Sequence, residues 1–232
     1  MVTNAVKRKA LQSLPDAFFR FTPDPRVSDS TLVIHLRAGD ALSGAVGNEF
    51  WQPPLAFYRQ VILGGGYEDI VIVTEANNAN PCAAALMERF SGQVQQIRVQ
   101  TGSLEEDINT ILSARTLVAS NSSFPFSLAL ASRYIKCWHR FLPSCEPWSF
   151  ADVPDVEQVD WAATDYPGNV QWSDVDAACQ VMLGYPESGI TMVSGEPKSQ
   201  GIAMESSGDR SLSNSSLSVD LGESSNQPKT IF

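Results

Sequence analysis

Apolar residues follow two rhythms along this chain. Leu32-Val33-Ile34, Ile70-Val71-Ile72-Val73 and Leu117-Val118-Ala119 are short continuous runs, the pattern of strands buried on both faces. Between these runs, apolar positions recur every three or four residues. Leu55, Tyr58, Val61 and Ile62 form one such stripe, Ala84, Leu86, Met87 and Phe90 a second, and Ile108, Ile111 and Leu112 a third. The pattern predicts strands at 31–36, 69–75, 94–99, 116–120 and 134–138, with helices opening near 53, 80 and 103 and another over 124–132. Local chemistry marks the boundaries. Pro53-Pro54 suits a helix start, and Gly64-Gly65-Gly66 suits its end. Asn80-Pro81 opens the next helix, and Ser103 with Glu106 forms a capping box that satisfies free N–H groups.

Regular alternation of strand and helix implies an α/β fold. It is Rossmann-like, a mostly parallel sheet with helices on both faces. Residues 1–30 read as a short helix and a Pro-rich connection, and 31–192 as the folded domain. Within that domain the periodicity weakens after Leu142. The stretch to Met192 is expected to be irregular, with one helix near 174–183. Residues 193–232 are rich in Ser, Gly and Asn without an apolar period, and are expected to be a disordered tail.

Composition narrows the functions. The 43% hydrophobic and 18% charged content is that of a globular domain. A net charge of −10 argues against a general nucleic-acid or anionic-membrane surface. A phosphorylated small molecule is compatible with it, because a few placed arginines suffice. Cys82, Cys137, Cys145 and Cys179 make no C-x-x-C pair, and only His35 and His139 offer imidazoles, so no metal site is expected. The cysteines read as free thiols, with a Cys137–Cys145 disulfide open in an oxidising compartment. No run approaches the ~20 apolar residues of a membrane span. Lys7, Arg8 and Lys9 are not followed by an apolar segment, so no secretory signal or anchor is expected.

Candidate chemistry gathers where the predicted strands end. The first delivers His35, Arg37, Gly39 and Asp40 at its carboxyl end, where open α/β sheets bind ligands. His35 and Arg37 project from one face of extended chain. The guanidinium fork of Arg37 suits a phosphate, and Gly39 permits a tight turn. The same residues also suit a core imidazole and a plain Arg37–Asp40 ion pair. After the fourth strand, Ser120-Asn121-Ser122-Ser123-Phe124 opens a helix, which is either an anion site or a Ser-rich N-cap. Asn121-Ser122-Ser123 is also a glycosylation sequon, and its place in a cleft argues against its use. No G-x-G-x-x-G or Walker sequence follows a strand, which argues against dinucleotide and P-loop readings.

Taken together, His35-Leu36-Arg37-Ala38-Gly39-Asp40 resembles the H-x-R-x-G-D motif of the α1,2-, α1,6- and protein O-fucosyltransferase superfamily. Asp107, followed by a strand and Ser122-Ser123-Phe124, resembles that superfamily's later motif. Gln52-Pro53-Pro54-Leu55-Ala56-Phe57-Tyr58 is similar to a helix start in algal, fungal and plant glycosyltransferase-like proteins. The resemblance covers about residues 31–135. It implies the C-terminal, donor-binding half of a GT-B architecture and a GDP-sugar, GDP-fucose, as donor. It also implies a glycan or protein acceptor, no cofactor, no required metal and an inverting transfer. By motif position, Arg37 would be catalytic, holding the diphosphate as the sugar leaves. His35, Gly39, Asp107, Ser122, Ser123 and Phe124 would bind the donor, with Asp107 accepting from the guanine edge and Asp40 bracing Arg37. The chain departs from the motif at Ala38, where many members carry a second Arg. Members also carry a longer N-terminal half that binds acceptor, against about 30 residues here. The alternative expectation is therefore a non-catalytic nucleotide-sugar or glycan-binding module, or a truncated relative. The resemblance points to the Golgi or ER lumen, a location for which the chain offers no targeting segment.

Overall fold

A computed structural model describes residues 4–19, 21–42, 52–76, 80–142, 155–166 and 174–193. The first helix, α1 (Asn4–Leu11), precedes β1 (Thr31–Leu36). Next come α2 (Leu55–Gly65), β2 (Asp69–Thr74), α3 (Pro81–Phe90), β3 (Gln96–Gln100), α4 (Leu104–Ser113), β4 (Thr116–Ala119) and α5 (Ser123–Ala131). The chain continues through β5 (Cys137–Leu142), β6 (Glu157–Ala163), α6 (Val175–Gly184) and β7 (Ile190–Val193). The seven strands form one sheet in the order β3-β2-β1-β4-β5-β6-β7. Every neighbouring pair is parallel except β6 with β7. The fold is thus α/β and Rossmann-like. The chain reverses direction across the sheet between β1 and β4, which makes the crevice beyond those two strands the topological switch point.

Burial on both faces follows from the pleat. Leu32, Ile34 and Leu36 of β1 join Ile70 and Ile72 of β2 in a core covered by α2, α3 and α6, with Phe57, Leu86 and Met182 packed into it. Val33, Val71 and Val73 point the other way, into a core with Ile108 and Ile111 of α4 and Phe126 of α5. Successive strand residues face opposite layers, so continuous apolar runs are what such a sheet requires. The caps read from the sequence hold. Ser103 and Glu106 satisfy each other's backbone N–H groups at α4. Asn80 accepts from Cys82 N at α3, and Gly66 closes α2 at φ 62°.

Two expectations fail. The strand expected at 134–138 lies at Cys137–Leu142, so its centre is His139-Arg140 rather than an apolar run. The segment expected to be irregular after Leu142 contains two strands, β6 and β7, besides α6. For β5 and β6 the cause is the same: these strands carry polar residues whose partners lie across the sheet. Arg140 stands opposite Asp160 in the β5–β6 register and grips it with Nε at 2.7 Å and Nη2 at 2.9 Å. The Trp161 indole N–H donates to His139 Nδ1 at 3.1 Å. Buried polar groups are tolerated once paired, and periodicity along one strand cannot reveal the pairing. Cys82, Cys137 and Cys179 are free thiols; of the tail expected at 193–232, Val193 closes β7, and the rest, like Cys145, lies outside the described residues.

Candidate functional site

A cleft of about 320 Å³ opens at the carboxyl ends of the central strands, beside the switch point. His35, Arg37 and Asp40 come from the end of β1, and Val73, Thr74 and Glu75 from the end of β2. Leu104 and Asp107 come from the first turn of α4, and Ser122, Ser123 and Phe124 from the start of α5. The two motifs, 67 residues and more apart in the chain, therefore share one cavity. Parallel β1–β4 pairing, with His35 in register with Ala119, brings them together.

His35 is buried. Its Nδ1 lies 2.7 Å from Ser120 Oγ, and its ring stands 5.6 Å from that of Phe124. Burial, aided by the neighbouring Arg37 charge, lowers its pKa to about 3, so the imidazole is neutral in the fold. Arg37 reaches Asp40 through Nη2 at 3.1 and 3.3 Å. Asp40 is mostly exposed, so this pair orients the guanidinium more than it stabilises the fold. Asn80 steadies the turn from beneath by donating Nδ2 to the Arg37 carbonyl at 3.0 Å. Gly39 sits at φ 56° in the turn beside the cleft, not on its wall. A Cβ there would meet the Glu75 carboxylate, the movable end of an exposed side chain, so it is the left-handed backbone that calls for glycine. Ala38 is fully buried in the core, which explains why this chain has no room for a second arginine at that position.

At α5 the structure trims the anion site that the sequence suggests. Ser120 is buried and turned to His35, so two hydroxyls rather than three face the cleft. Ser122 N donates to the Ser120 carbonyl at 2.8 Å. Phe124 N donates to the Ser122 side chain at 3.3 Å. Pro125 has no N–H. The Ser123 N–H is left without a hydrogen-bond partner among the described residues. Asn121 is buried, which places the sequon out of reach of solvent.

Asp107 belongs to a polar network that reaches back to the N-terminal connection. Gln100, the last residue of β3, donates Nε2 to Asp107 Oδ1 at 3.0 Å. Its Oε1 accepts from Arg26 Nη2 at 3.2 Å and Arg98 Nη1 at 3.1 Å, which fixes the orientation of the amide. Thr110 donates to Asp24 Oδ2 at 2.7 Å. Burial works to raise the Asp24 pKa. Hydrogen bonds from the Arg26 side chain and backbone and from Thr110 outweigh it and hold the carboxyl well below its ordinary range. For Asp107 the balance is reversed: burial prevails and its pKa is raised.

Sequence reasoning missed Val73, Thr74, Glu75 and Leu104 as parts of this site. The usable signal for Thr74 and Glu75 was a second apolar run ending in polar residues directly beside the first. Among the described residues, no group of His, Cys, Asp or Glu side chains is arranged to hold a metal, and no helix is long and apolar enough to cross a membrane. No protein-family model matches the chain, and a search of curated proteins returns no match to it.

Proposed function

We propose that this cleft binds a GDP-sugar and that the chain is the donor-binding domain of a fucosyltransferase-like glycosyltransferase of GT-B type. One observation carries the reading: Arg37, the hydroxyls of Ser122 and Ser123, and the carboxylate of Asp107 line a single cleft at a sheet switch point. The first three groups suit a diphosphate. A carboxylate suits the N1–H and N2–H₂ donors of guanine, and the network behind Asp107 holds one of its oxygens in place. In an inverting transfer, an acceptor hydroxyl of a glycan or protein forms the new bond to the anomeric carbon and gives up its proton to solvent water. The bond from that carbon to the diphosphate breaks, and GDP leaves with the electron pair. Arg37 and the α5 N-terminus would stabilise the charge that develops on the leaving diphosphate. No protein-bound metal enters this account.

A binding module without transfer is the second reading, favoured by the state of His35. A neutral imidazole tied to Ser120, with a pKa near 3, takes no proton at neutral pH. Calorimetry on the full chain with GDP, GDP-fucose and ADP tests the binding claim common to both. The expected outcome is binding of the two guanine ligands in preference to ADP, with Arg37→Ala weakening them at least about tenfold. Folded protein that binds no guanine nucleotide at millimolar concentration overturns both readings. Release of GDP from GDP-fucose in the presence of glycan acceptors separates enzyme from module.

A further inference from the structure

The cleft's walls follow the order of the strands, and that order supplies a direction. Along the sheet edge the carboxyl ends run β4, β1, β2, β3. The first two deliver the phosphate-type groups, Ser122 and Ser123 after β4 and Arg37 after β1. The last delivers Asp107, on α4 just beyond β3. Three strand spacings, about 14 Å, separate the extremes. A nucleoside diphosphate lying across them places its ribose over the end of β2. Glu75 stands there on the cleft wall, exposed, and among the described residues its carboxylate has no hydrogen-bond or ion-pair partner. That carboxylate rests against the Cα of Gly39, in the space a side chain would fill. Thr74, directly before it and also on the wall, is 3% exposed, and its hydroxyl lacks a partner among the described residues.

We propose that Glu75, with Thr74 behind it, is a diol-binding subsite that takes the ribose 2′- and 3′-hydroxyls of the nucleotide. The chemistry is that of a carboxylate accepting from two adjacent hydroxyls, the arrangement an acidic residue provides for ribose at a neighbouring strand end in dinucleotide-binding sheets. The subsite rests on the nucleotide reading above and adds to it the orientation of the ligand: phosphates toward β4, base toward β3. Gly39 takes part indirectly, since the space above its Cα lets Glu75 lie against the turn that carries Arg37.

The test is calorimetric titration of the full chain, wild type and Glu75→Gln, with GDP and 2′-deoxy-GDP, after circular dichroism shows that both proteins are folded. Wild type should bind GDP about ten- to a hundredfold more tightly than 2′-deoxy-GDP, the effect of a charge-assisted hydrogen bond. Glu75→Gln should weaken GDP by a similar factor and bind the two nucleotides nearly alike. If GDP binds and Arg37→Ala abolishes it, but wild type does not distinguish the two nucleotides, the subsite is wrong and the nucleotide reading stands. Discrimination that survives in Glu75→Gln likewise removes Glu75 from the role. If GDP does not bind the folded wild type, both fall together.

Discussion

Ser120 and the ring of Phe124 enclose an imidazole at the end of β1, and the enclosure sets its charge. Burial takes the His35 pKa down to about 3, and burial alone takes His139, held by Trp161, down to about 4. Both values lie below the ordinary 6.5, so between pH 6.5 and 4 the unfolded chain binds protons that the folded chain refuses. Stability is therefore fully present above pH 6.5 and is lost as pH falls through that window. Urea unfolding at pH 7 and pH 5 should show a loss of about 2 kcal/mol per imidazole. His139→Gln should remove about half of that pH dependence; an unchanged slope would contradict the burial argument. Arg37 and Asp107 are cases where residue type was informative from the sequence, while their shared cavity was not. Gln100 carried no signal at all, because its role depends on an amide pinned by Arg98 of its own strand and by Arg26 from the distant N-terminal connection.

Helix starts are the most legible elements, because a cap is a contact between near neighbours. Asn80 and Ser103 announce α3 and α4 through residues two and three positions away. Asn80 also does something its local sequence does not disclose: its Nδ2 holds the Arg37 carbonyl, coupling the start of α3 to the turn after β1. Asn80→Ala should cost about 1–2 kcal/mol in urea unfolding through loss of the cap. Asn80→Asp keeps the cap acceptor but sets a carboxylate against that carbonyl. It should leave most of the stability and weaken GDP binding, as read by calorimetry. Unchanged GDP binding in both substitutions, each of which removes the donor, would show that the turn does not depend on this bond. Strands are legible where both faces are apolar, as in β1 and β2, and illegible where polar side chains meet partners across the sheet, as in β5 and β6.

At the scale of the molecule, two cores lie on opposite faces of one sheet, and the site occupies the edge where the strand order reverses. Phe141 joins the later strands to the first core. It is fully buried, 5.2 Å from Phe57 and edge-on to Tyr166 at 5.8 Å. Phe141→Ala should cost about 3–5 kcal/mol by leaving a cavity. Val99→Ala, at a 39% exposed position on the outer strand β3, should cost far less. Denaturant midpoints of the two variants check the contrast, and similar losses would mean that the outer strand is more tightly held than its exposure implies.

The sequence by itself determined the fold class, the central strands, the caps and the candidate residues His35, Arg37, Asp107 and Ser122-Ser123. Each of these is written in local periodicity or in side-chain chemistry within a few residues, except Asp107, which entered through the motif resemblance alone. Only the tertiary structure decided that β4 lies beside β1, so that the two motifs face one cleft, and that the end of β2 with Glu75 completes its wall. It also decided that Ser120 serves His35 rather than the cleft, that β5 runs on through His139 and Arg140 to Leu142, and that β6 is a strand. Strand order and cross-strand partnership are relations between distant segments, fixed by the packing of the sheet against its helices, and no window along the chain contains them.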